Sequence, residues 1–241
     1  MNIKVIFSIC IFMLISKGSY SNTTNTVQTA TSFMEVYDPW YGLNKRMYTF
    51  NYYADKYGIL PVADFYKNIV PIVGQKGITN FYTNLSYIET VTSATLQGKI
   101  AKGMRGLGRL SINSILGLGG LFDVAEKLEM PQENEDFGLL LANYGVGAGP
   151  YLIVPFMGPS NLRDLLGKGM GLSLGIFTSP LSSIYIGSYP SMGAFAIESI
   201  NWRNEIKFRH YGTSTPFEYE YLRFYYNEIR YLEENADKKE N

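Results

Sequence analysis

The sequence predicts an all-α protein of short helices that glycine and proline interrupt, partly embedded in a membrane around a cavity. Only three charged side chains, Arg163, Asp164 and Lys168, lie between Phe137 and Ile197. The uncharged runs before and after them contain 26 and 29 residues, and each exceeds the roughly 20 residues that a helix needs to cross a bilayer. Glycine and proline break both runs, so neither can form one straight spanning helix.

The backbone of such broken, uncharged segments limits where they can lie. At membrane depth, irregular backbone is tolerated only where it is buried in protein or lines a water-filled cavity. A cavity-forming protein that is partly embedded in a membrane satisfies this condition. The composition leaves one alternative open, a soluble domain with this region as its buried centre.

The overall composition excludes one class of partner and favours interfaces. The chain of 241 residues has a formal net charge of zero and no dense cluster of lysine and arginine, whereas a nucleic-acid binder needs a basic face. Charged residues make up 17% of the chain and aromatic residues 15%. Tyrosine has an apolar ring and a polar hydroxyl, which suit membrane boundaries and protein contact surfaces equally well.

The N-terminus is typical of an exported protein. Residues 1–21 have the pattern of a signal peptide, with Lys4 ahead of an apolar core and cleavage expected after Ser21. The alternative is an uncleaved membrane anchor. Residues 22–37 are polar and are predicted to form a flexible leader.

The only cysteine in the sequence is Cys10, which lies inside the apolar core of the signal. Cleavage would therefore leave a mature chain without cysteine and without disulfides. A lipid-attachment cysteine needs a small residue directly before it and a full apolar region upstream. Ile9 precedes Cys10 here, so the surroundings do not match such a site.

A single helical domain is predicted over residues 38–235, followed by a charged tail at 236–241. Asp38 and Pro39 are typical of a helix start, with the aspartate as cap and the proline in the first turn. Pro61 and Pro71 are expected to divide the next part into short helical pieces.

The glycine-rich segment in the middle of the domain is predicted to pack helices closely. Apolar residues from Gly77 to Gly98 recur at a spacing of three or four, which predicts a helix. Six glycines follow before Ala125, and Gly119-Gly120 predicts a break before a short helix. No phosphate-binding pattern accompanies these glycines, so close helix packing is the favoured interpretation.

The last part of the domain predicts an amphipathic helix from Phe217 to Glu234. Its favoured role is to cover the core, and the alternative is a helix that lies on a membrane or a partner. The apolar stripe consists of Leu222, Tyr225, Ile229 and Leu232. The opposite stripe consists of Glu220, Arg223, Asn227, Arg230 and Glu234.

The charged pair Arg163 and Asp164 interrupts the neutral region and needs partners, because unpaired charge in apolar surroundings is costly. A helix start is predicted from Asn161 to Gly167, with Ser160 as its cap and Asp164 near the positive helix end. The pair is expected to be either a capping pair or part of a hydrophilic lining.

Neither an enzyme nor a metal site is predicted, and no cofactor. Gly171 to Gly175 matches the nucleophile elbow Gly-x-Ser-x-Gly around Ser173, but that motif needs a preceding strand and a later acid and histidine. His210 is the only histidine. The acidic residues Glu133, Glu135 and Asp136 are interpreted as a solvated loop.

The same residues closely resemble the VacJ-type (MlaA) family of outer-membrane lipid-asymmetry proteins. The central match runs from Asn143 to Tyr151 and continues through Pro155, Gly158-Pro159-Ser160 and Arg163-Asp164. The flanking matches are Asp38-Pro39, Asn44, Phe50-Asn51, Asp55, Asn80-Phe81, Asn84-Leu85, Leu96-Gln97-Gly98, Arg109, Asn113-Ser114, Gly117, Gly119-Gly120 and Phe122-Asp123-Val124-Ala125. Leu60 and Ile88 depart from the family pattern, as do the surroundings of Cys10.

The resemblance implies a ring-shaped, all-helical protein in the inner leaflet of the outer membrane, with an amphipathic channel for phospholipids. It implies that the protein removes misplaced phospholipids from the outer leaflet and so maintains lipid asymmetry. The implied partners are trimeric porins and a soluble periplasmic phospholipid carrier of the MlaC type.

A phospholipid has a charged head and two acyl chains, so its route should have a few polar groups on one wall. We expect the segment from Phe137 to Met170 to line this route. Lys168 is placed to attract the phosphate, while Arg163 and Asp164 are further candidates for the polar wall. Gly145, Gly147 and Gly149 would let backbone approach the lipid or let a loop move. The competing hypotheses are a lipid esterase that uses Ser173 and a purely structural envelope protein.

Overall fold

A computed structural model describes residues 36–178, 200, 203 and 217–236, and the segment Val36–Asn241 forms one compact unit. The predictions for the signal peptide, for nearly all of the leader, for most of the second uncharged run, for His210 and for most of the charged tail lie outside the described residues.

The described part of the chain is predominantly helical, so the predicted all-α class is confirmed. None of the described helices is both long enough and apolar enough to cross a bilayer. In chain order the elements are α1 (Tyr41–Ala54), a π-helical segment (Asp55–Ile59), α2 (Leu60–Ile69), α3 (Ile72–Leu96), α4 (Ile100–Ile115), α5 (Val124–Lys127), α6 (Phe137–Asn143), β1 (Tyr151–Val154), β2 (Gly158–Asn161), α7 (Leu162–Thr178) and α8 (Glu218–Asn235).

The start of the domain differs from the prediction in two respects. No side chain caps α1, and Asp38 instead accepts hydrogen bonds from Asn44 and Tyr219. Asp38 thus ties α1 to α8 rather than capping a helix. Pro61 does not separate two helices, because α1 continues through the π-helical segment directly into α2. Only Pro71 separates two helices, as expected.

Helices α3 and α4 pack closely through glycines, as the sequence predicted. A Cβ atom on Gly103 would lie 2.9 Å from Thr95 Oγ1, and one on Gly106 would lie 3.2 Å from Val91 Cγ2. These glycines let the two backbones approach one another. On the same helix Arg109 is fully buried.

The predicted break before a short helix is confirmed. Gly119 and Gly120 have φ values of +74° and +97°, a region that L side chains rarely adopt. Asp123 then caps α5, since its carboxylate accepts the amide hydrogen of Glu126 at 2.9 Å. The same carboxylate accepts a hydrogen bond from the buried Arg109 guanidinium at 2.6 Å.

An antiparallel hairpin of two strands is the element that the sequence did not indicate. Strands β1 and β2 pair from Tyr151 with Asn161 to Val154 with Gly158. Helix α1 provides hydrogen-bond partners for the outer edge of β1. The side-chain NH2 of Asn44 donates to the Tyr151 carbonyl, and its side-chain oxygen accepts from the Ile153 N–H, both at 2.9 Å. Two turns later, the side chain of Asn51 donates to the Val154 carbonyl and accepts from the Phe156 N–H.

Replacing Asn44 with alanine should therefore lower the free energy of unfolding by about 2 kcal/mol, because it leaves a buried N–H and a buried carbonyl of β1 without partners. Chemical denaturation of the purified protein in non-ionic detergent measures this. Asn68, which is exposed on α2, is the matched control, and Asn68→Ala should change stability by less than about 0.5 kcal/mol. Equal effects of the two substitutions would contradict the role of Asn44.

The distribution of polar and apolar side chains is unusual for a water-soluble protein. In the described residues, buried polar side chains outnumber buried apolar ones, and the compact apolar cluster is small, formed by Tyr48, Tyr151, Ile153, Tyr219 and Leu222. Many large apolar side chains are exposed instead; Ile72, Ile115 and Phe177 are each more than 70% exposed. Such extensive apolar exposure marks contact with lipid or with another protein.

Helix α8 covers the core with a face that coincides only in part with the predicted one, since Leu222 of the predicted stripe is buried in the core. Tyr225 and Leu232, assigned to the apolar stripe, are more than half exposed, while Arg223 and Arg230, assigned to the outer stripe, form ion pairs with Asp38 and Asp136. The prediction that α8 covers the core is therefore confirmed, but the assignment of Tyr225 and Leu232 to its inward face is wrong. The interior that α8 covers is polar, so its arginine face turns inward.

Candidate functional site

The two charges that interrupt the neutral region form a buried ion pair at the start of α7. Arg163 Nη2 donates to Asp164 Oδ1 at 3.0 Å, and Arg163 Nε donates to the same oxygen at 3.1 Å. The two residues are only 3% and 4% exposed. The sequence predicted only that the two charges need partners, as a capping pair or in a hydrophilic lining; here they pair with each other and are enclosed by protein.

The cap of α7 is Asn161 and not Ser160. The Asn161 side-chain oxygen accepts the Asp164 amide hydrogen at 2.7 Å, and its amide donates to Asp164 Oδ2 at 2.8 Å. The Ser160 hydroxyl makes only a long hydrogen bond, 3.4 Å, to the Asn161 carbonyl. Strand β2 continues through Asn161, so the cap falls one residue later than the sequence suggested.

Helix α8 supplies the remaining partners of Asp164. The Arg230 guanidinium donates to Asp164 Oδ1 at 3.0 Å and to Asp136 Oδ2 at 2.8 Å. The Tyr226 hydroxyl donates to Asp164 Oδ2 at 2.6 Å, and Arg163 also pairs with a glutamate of α8. We call this set the charge network; its members are Asp136, Arg163, Asp164, Tyr226, Arg230 and Glu234.

Electrostatic interactions within the charge network favour the ionised forms of Asp164 and Arg230 despite their burial. Burial would raise the pKa of Asp164, but the hydrogen bond from Tyr226 and the charge of Arg230 outweigh it and hold the pKa below the usual aspartate value. Burial likewise opposes the charge of Arg230, yet Asp136 and Asp164 raise its pKa. The network therefore holds charged groups inside the protein in paired form.

Two glycines allow α6 and α7 to approach at the charge network. A Cβ atom on Gly167 would lie 2.8 Å from the Cα of Gly138 and closer still to its amide nitrogen. A Cβ atom on Gly138 would in turn lie 2.7 Å from Arg230 Nη2. Side chains at either position would separate the helices that hold Asp136 and Asp164.

Lys168 lies one turn beyond Asp164 on α7 and is partly buried. Within the described part of the chain it makes no hydrogen bond and no ion pair. Burial lowers the pKa of its ammonium group, as does the nearby Arg230 charge, and these effects outweigh the opposite effect of the Asp164 and Asp136 charges. Lys168 is therefore a cation next to the charge network that Asp164 and Asp136 attract without forming an ion pair with it.

The three candidate glycines lie in the loop between α6 and β1, on the surface. Gly145 and Gly149 have φ values of +84° and +70°, which favour glycine. A Cβ atom on Gly147 would contact nothing within 4 Å. The loop is tied to the start of α7, because the Arg163 amide donates to the Ala148 carbonyl at 3.1 Å. The structure thus brings Arg163, Asp164 and Lys168 together and anchors the glycine loop beside them.

The acidic segment before α6 is not a solvated loop, contrary to the prediction. Glu135 is 3% exposed and accepts hydrogen bonds from Lys99 and Lys102, each at 2.9 Å. Asp136 caps α6 through the Leu139 amide at 2.7 Å. Glu133 pairs with a cation of α4. These pairings could not be predicted from the neighbouring residues, because the partners lie about 30 residues earlier.

The charge network contains residues that sequence reasoning did not assign to the site, namely Asp136, Tyr226, Arg230 and Glu234. One signal was present. Tyr219 and Tyr226 are seven residues apart, as are Arg223 and Arg230, and this spacing places all four on one face of α8. Both pairs of residues face inward.

Ser173 does not lie in a nucleophile elbow. The segment Gly171 to Gly175 belongs to the interior of α7, whereas the elbow needs a strand before the serine and a helix after it. The Ser173 hydroxyl donates to the Gly169 carbonyl four residues earlier at 2.8 Å. This arrangement is the ordinary back-bonding of a helical serine.

A family model described as MlaA lipoprotein matches residues 36–233. The chain is similar to the Escherichia coli protein named intermembrane phospholipid transport system lipoprotein MlaA, with 36% identity over 174 residues, which are 70% of this chain and 66% of that protein. It is also 35% identical over 171 residues to an uncharacterised protein of Rickettsia felis, covering 68% of each chain.

One solved structure has the same fold. It was described as the structural basis for maintenance of bacterial outer membrane lipid asymmetry, and it shares 30% sequence identity with this chain at a TM-score of 0.63. The match covers 83% of this chain and 98% of the other. Sequence and fold therefore agree on one family.

Proposed function

The chain belongs to the MlaA lipoprotein family, and from that membership we propose that it transports phospholipid without chemical change. In this proposal it takes misplaced phospholipids from the outer leaflet of a bacterial outer membrane and passes them to a soluble periplasmic carrier. It lies at the periplasmic face of that membrane, in the inner leaflet, beside trimeric porins.

The observation that carries the proposal is the reversed distribution of polarity. Large apolar side chains are exposed while charged and amide side chains are buried. An apolar exterior suits acyl chains, and a polar interior suits a phospholipid headgroup, which is costly to move through hydrocarbon without polar partners. A soluble carrier or a simple scaffold needs neither feature.

The route proposed for the headgroup runs past the segment from Phe137 to Met170. Lys168 supports it, because a partly buried ammonium that forms no ion pair with any described residue can bind a phosphate. The glycine loop from Gly145 to Gly149 supports it as well, since a Cβ atom on Gly145 or Gly147 would contact nothing within 4 Å. Arg163 and Asp164 hold this wall in place through the charge network and contribute its polarity.

Two substitutions test this route. Lys168→Glu should reduce transfer of phospholipid from donor vesicles to a soluble acceptor by about tenfold, because it exchanges attraction of the phosphate for repulsion. Gly147→Trp should reduce transfer as strongly by obstruction. Gly147→Trp should leave the fold intact, since Gly147 has open space and ordinary backbone angles. Lys168→Glu breaks no ion pair with a described residue, and circular dichroism of both variants checks that the fold is kept.

The assay uses the purified full-length protein in vesicles that contain labelled phospholipid, with transfer and free fatty acid measured together. Gly42→Trp is the matched control, because Gly42 also has nothing within 4 Å but lies far along the chain on α1. Transfer by both route variants at the rate of the unaltered protein would show that this segment does not line the route. Release of fatty acid that Ser173→Ala abolishes would instead support the esterase.

A further inference from the structure

The last residue of α4 and the loop that follows it present a continuous apolar surface. Residues 115–122 carry no polar side chain, since three of them are glycines and five are large apolar residues. All five large side chains are exposed, from 42% at Leu121 to 76% at Ile115. The other three are Leu116, Leu118 and Phe122. We call residues 115–122 the apolar loop.

The apolar loop lies against the first turns of α3. The Asn80 side-chain amide donates to the Leu121 carbonyl at 3.2 Å, and a Cβ atom on Gly77 would lie 3.8 Å from Leu121 Cδ2. Val73 lies one turn before Gly77 on the same side of α3 and is exposed as well. It therefore extends the apolar surface of the loop onto α3.

Leu118, at the centre of the apolar loop, has a strained backbone. Its φ value is +52°, and this left-handed conformation crowds the Cβ atom of any residue other than glycine. The Leu118 side chain is nevertheless 68% exposed, so its own burial does not compensate for the strain. Strained residues of this kind cluster where a protein contacts a ligand or a partner.

The backbone of the apolar loop is suited to surroundings with little water. Several of its N–H groups donate to carbonyls of α4 or of the loop itself, over 2.8–3.2 Å; they belong to Leu116, Gly119, Gly120 and Phe122. The Leu121 carbonyl accepts from Asn80. Backbone groups that are already paired cost less to remove from water. The loop can therefore enter the boundary between lipid headgroups and acyl chains.

The opposite end of the α3–α4 pair carries charge. There Gln97, Lys99 and Lys102 all donate to the Glu135 carboxylate, and we call these four residues the charged end. Gln97 follows Asn80 by 17 residues, which is about 25 Å along α3. The hydrocarbon of one leaflet is only about 15 Å thick. The apolar loop can thus enter a leaflet while the charged end stays among headgroups or in water.

We propose that the apolar loop inserts at the acyl-chain boundary of one membrane leaflet and orients the protein with its charged end toward water. This inference rests on the membrane location in the proposed function and identifies the surface that enters the lipid. Acyl chains fit this surface better than a protein partner does, because the loop has no polar side chain for the polar rim of a protein interface.

The test places a polarity-sensitive fluorescent dye on single cysteines of the full-length protein in phospholipid vesicles. Cys10, the only native cysteine, is replaced by serine. Leu116→Cys puts the dye on the apolar loop, and Asn134→Cys puts it on an exposed position next to Glu135 at the charged end. Lipids with a nitroxide on the acyl chain should quench the dye at position 116 about threefold more strongly than at position 134. Equal quenching at the two positions would overturn the proposal.

Leu118→Asp, combined with the dye at position 116, separates insertion from structure. Aspartate tolerates a positive φ better than leucine does, so stability in detergent should not fall. A carboxylate is costly among acyl chains, so quenching should fall to the level at position 134. Leu96→Asp is the matched control, because Leu96 is also exposed but precedes the charged end, and it should leave quenching at position 116 unchanged. Undiminished quenching in Leu118→Asp would contradict insertion through Leu118.

Phospholipid transfer measured with the same vesicles distinguishes this inference from the proposed function. Transfer by the unaltered protein with an unquenched dye at position 116 would overturn the inserted loop and leave transport intact. Quenching at position 116 without any transfer would support the loop and overturn transport.

Discussion

Asp164→Asn should lower the free energy of unfolding by about 3 kcal/mol, the size expected when one partner of a buried charge network is removed. Asp164 accepts hydrogen bonds from Tyr226, Arg230, Arg163 and Asn161. The asparagine keeps the shape but loses the charge that compensates two buried guanidinium groups. Chemical denaturation of the purified protein in non-ionic detergent measures the change.

The matched control is Asp64→Asn, because Asp64 is exposed on α2 and its loss should cost less than about 0.5 kcal/mol. The stability that Asp164 provides should also depend on pH. Its pKa is lower in the folded protein than in the unfolded chain, so this stability is present above the usual aspartate pKa and is lost as pH falls through the folded pKa. The asparagine variant should lack that acid-sensitive part. Equal stability of the two variants would contradict the structural importance of the network.

Gly167→Ala should destabilise the protein by about 3 kcal/mol, since the added methyl group would collide with the backbone of α6 and push it away from α7. The obstacle is backbone around Gly138, which cannot rotate aside as a side chain would. The same displacement would pull Asp136 away from Arg230. We therefore expect reduced phospholipid transfer along with reduced stability.

Gly169 provides a control on the same helix. It is exposed and a Cβ atom there would contact nothing within 4 Å, so Gly169→Ala should stabilise the protein by up to about 1 kcal/mol through helix propensity. The two substitutions make the same chemical change two residues apart. In a denaturation experiment they should change the free energy of unfolding in opposite directions. Destabilisation by both to a similar degree would mean that close approach of α6 and α7 is not what Gly167 provides.

Local signals in the sequence were sufficient to predict most of the helices. Gly119 and Gly120 adopt the positive φ angles expected of a break, and the spacing of apolar residues after Gly77 corresponds to α3. That Arg163 and Asp164 need partners followed from the cost of isolated charge in neutral surroundings. These features depend on neighbours within a few residues, which a sequence shows directly.

Features that depend on distant partners could not be predicted. The strand β1 has only four residues, and Asn44 and Asn51, more than 100 residues earlier, satisfy its outer edge. The partners of Glu135 are equally remote from it. The sequence near residues 151 and 135 does not indicate such contacts.

The orientation of α8 was missed for a different reason. Apolar stripes are assigned to the core because most proteins fold in water. Here the described core is rich in charged and amide groups, so Arg223 and Arg230 point inward while Tyr225 and Leu232 point outward. The outward position of Tyr225 and Leu232 supports the proposed contact with lipid, and the polar core explains why the apolar pattern predicted the helix but only part of its inward face.

Phospholipid in the outer leaflet, measured in intact cells with and without the gene for this protein, tests the proposed transport most directly. A reagent that labels primary amines and does not cross membranes reports exposed phosphatidylethanolamine. We expect loss of the protein to raise the labelled fraction several-fold and the unaltered protein, but not Lys168→Glu, to restore it. An unchanged labelled fraction in cells that lack the protein would contradict phospholipid transport as its function.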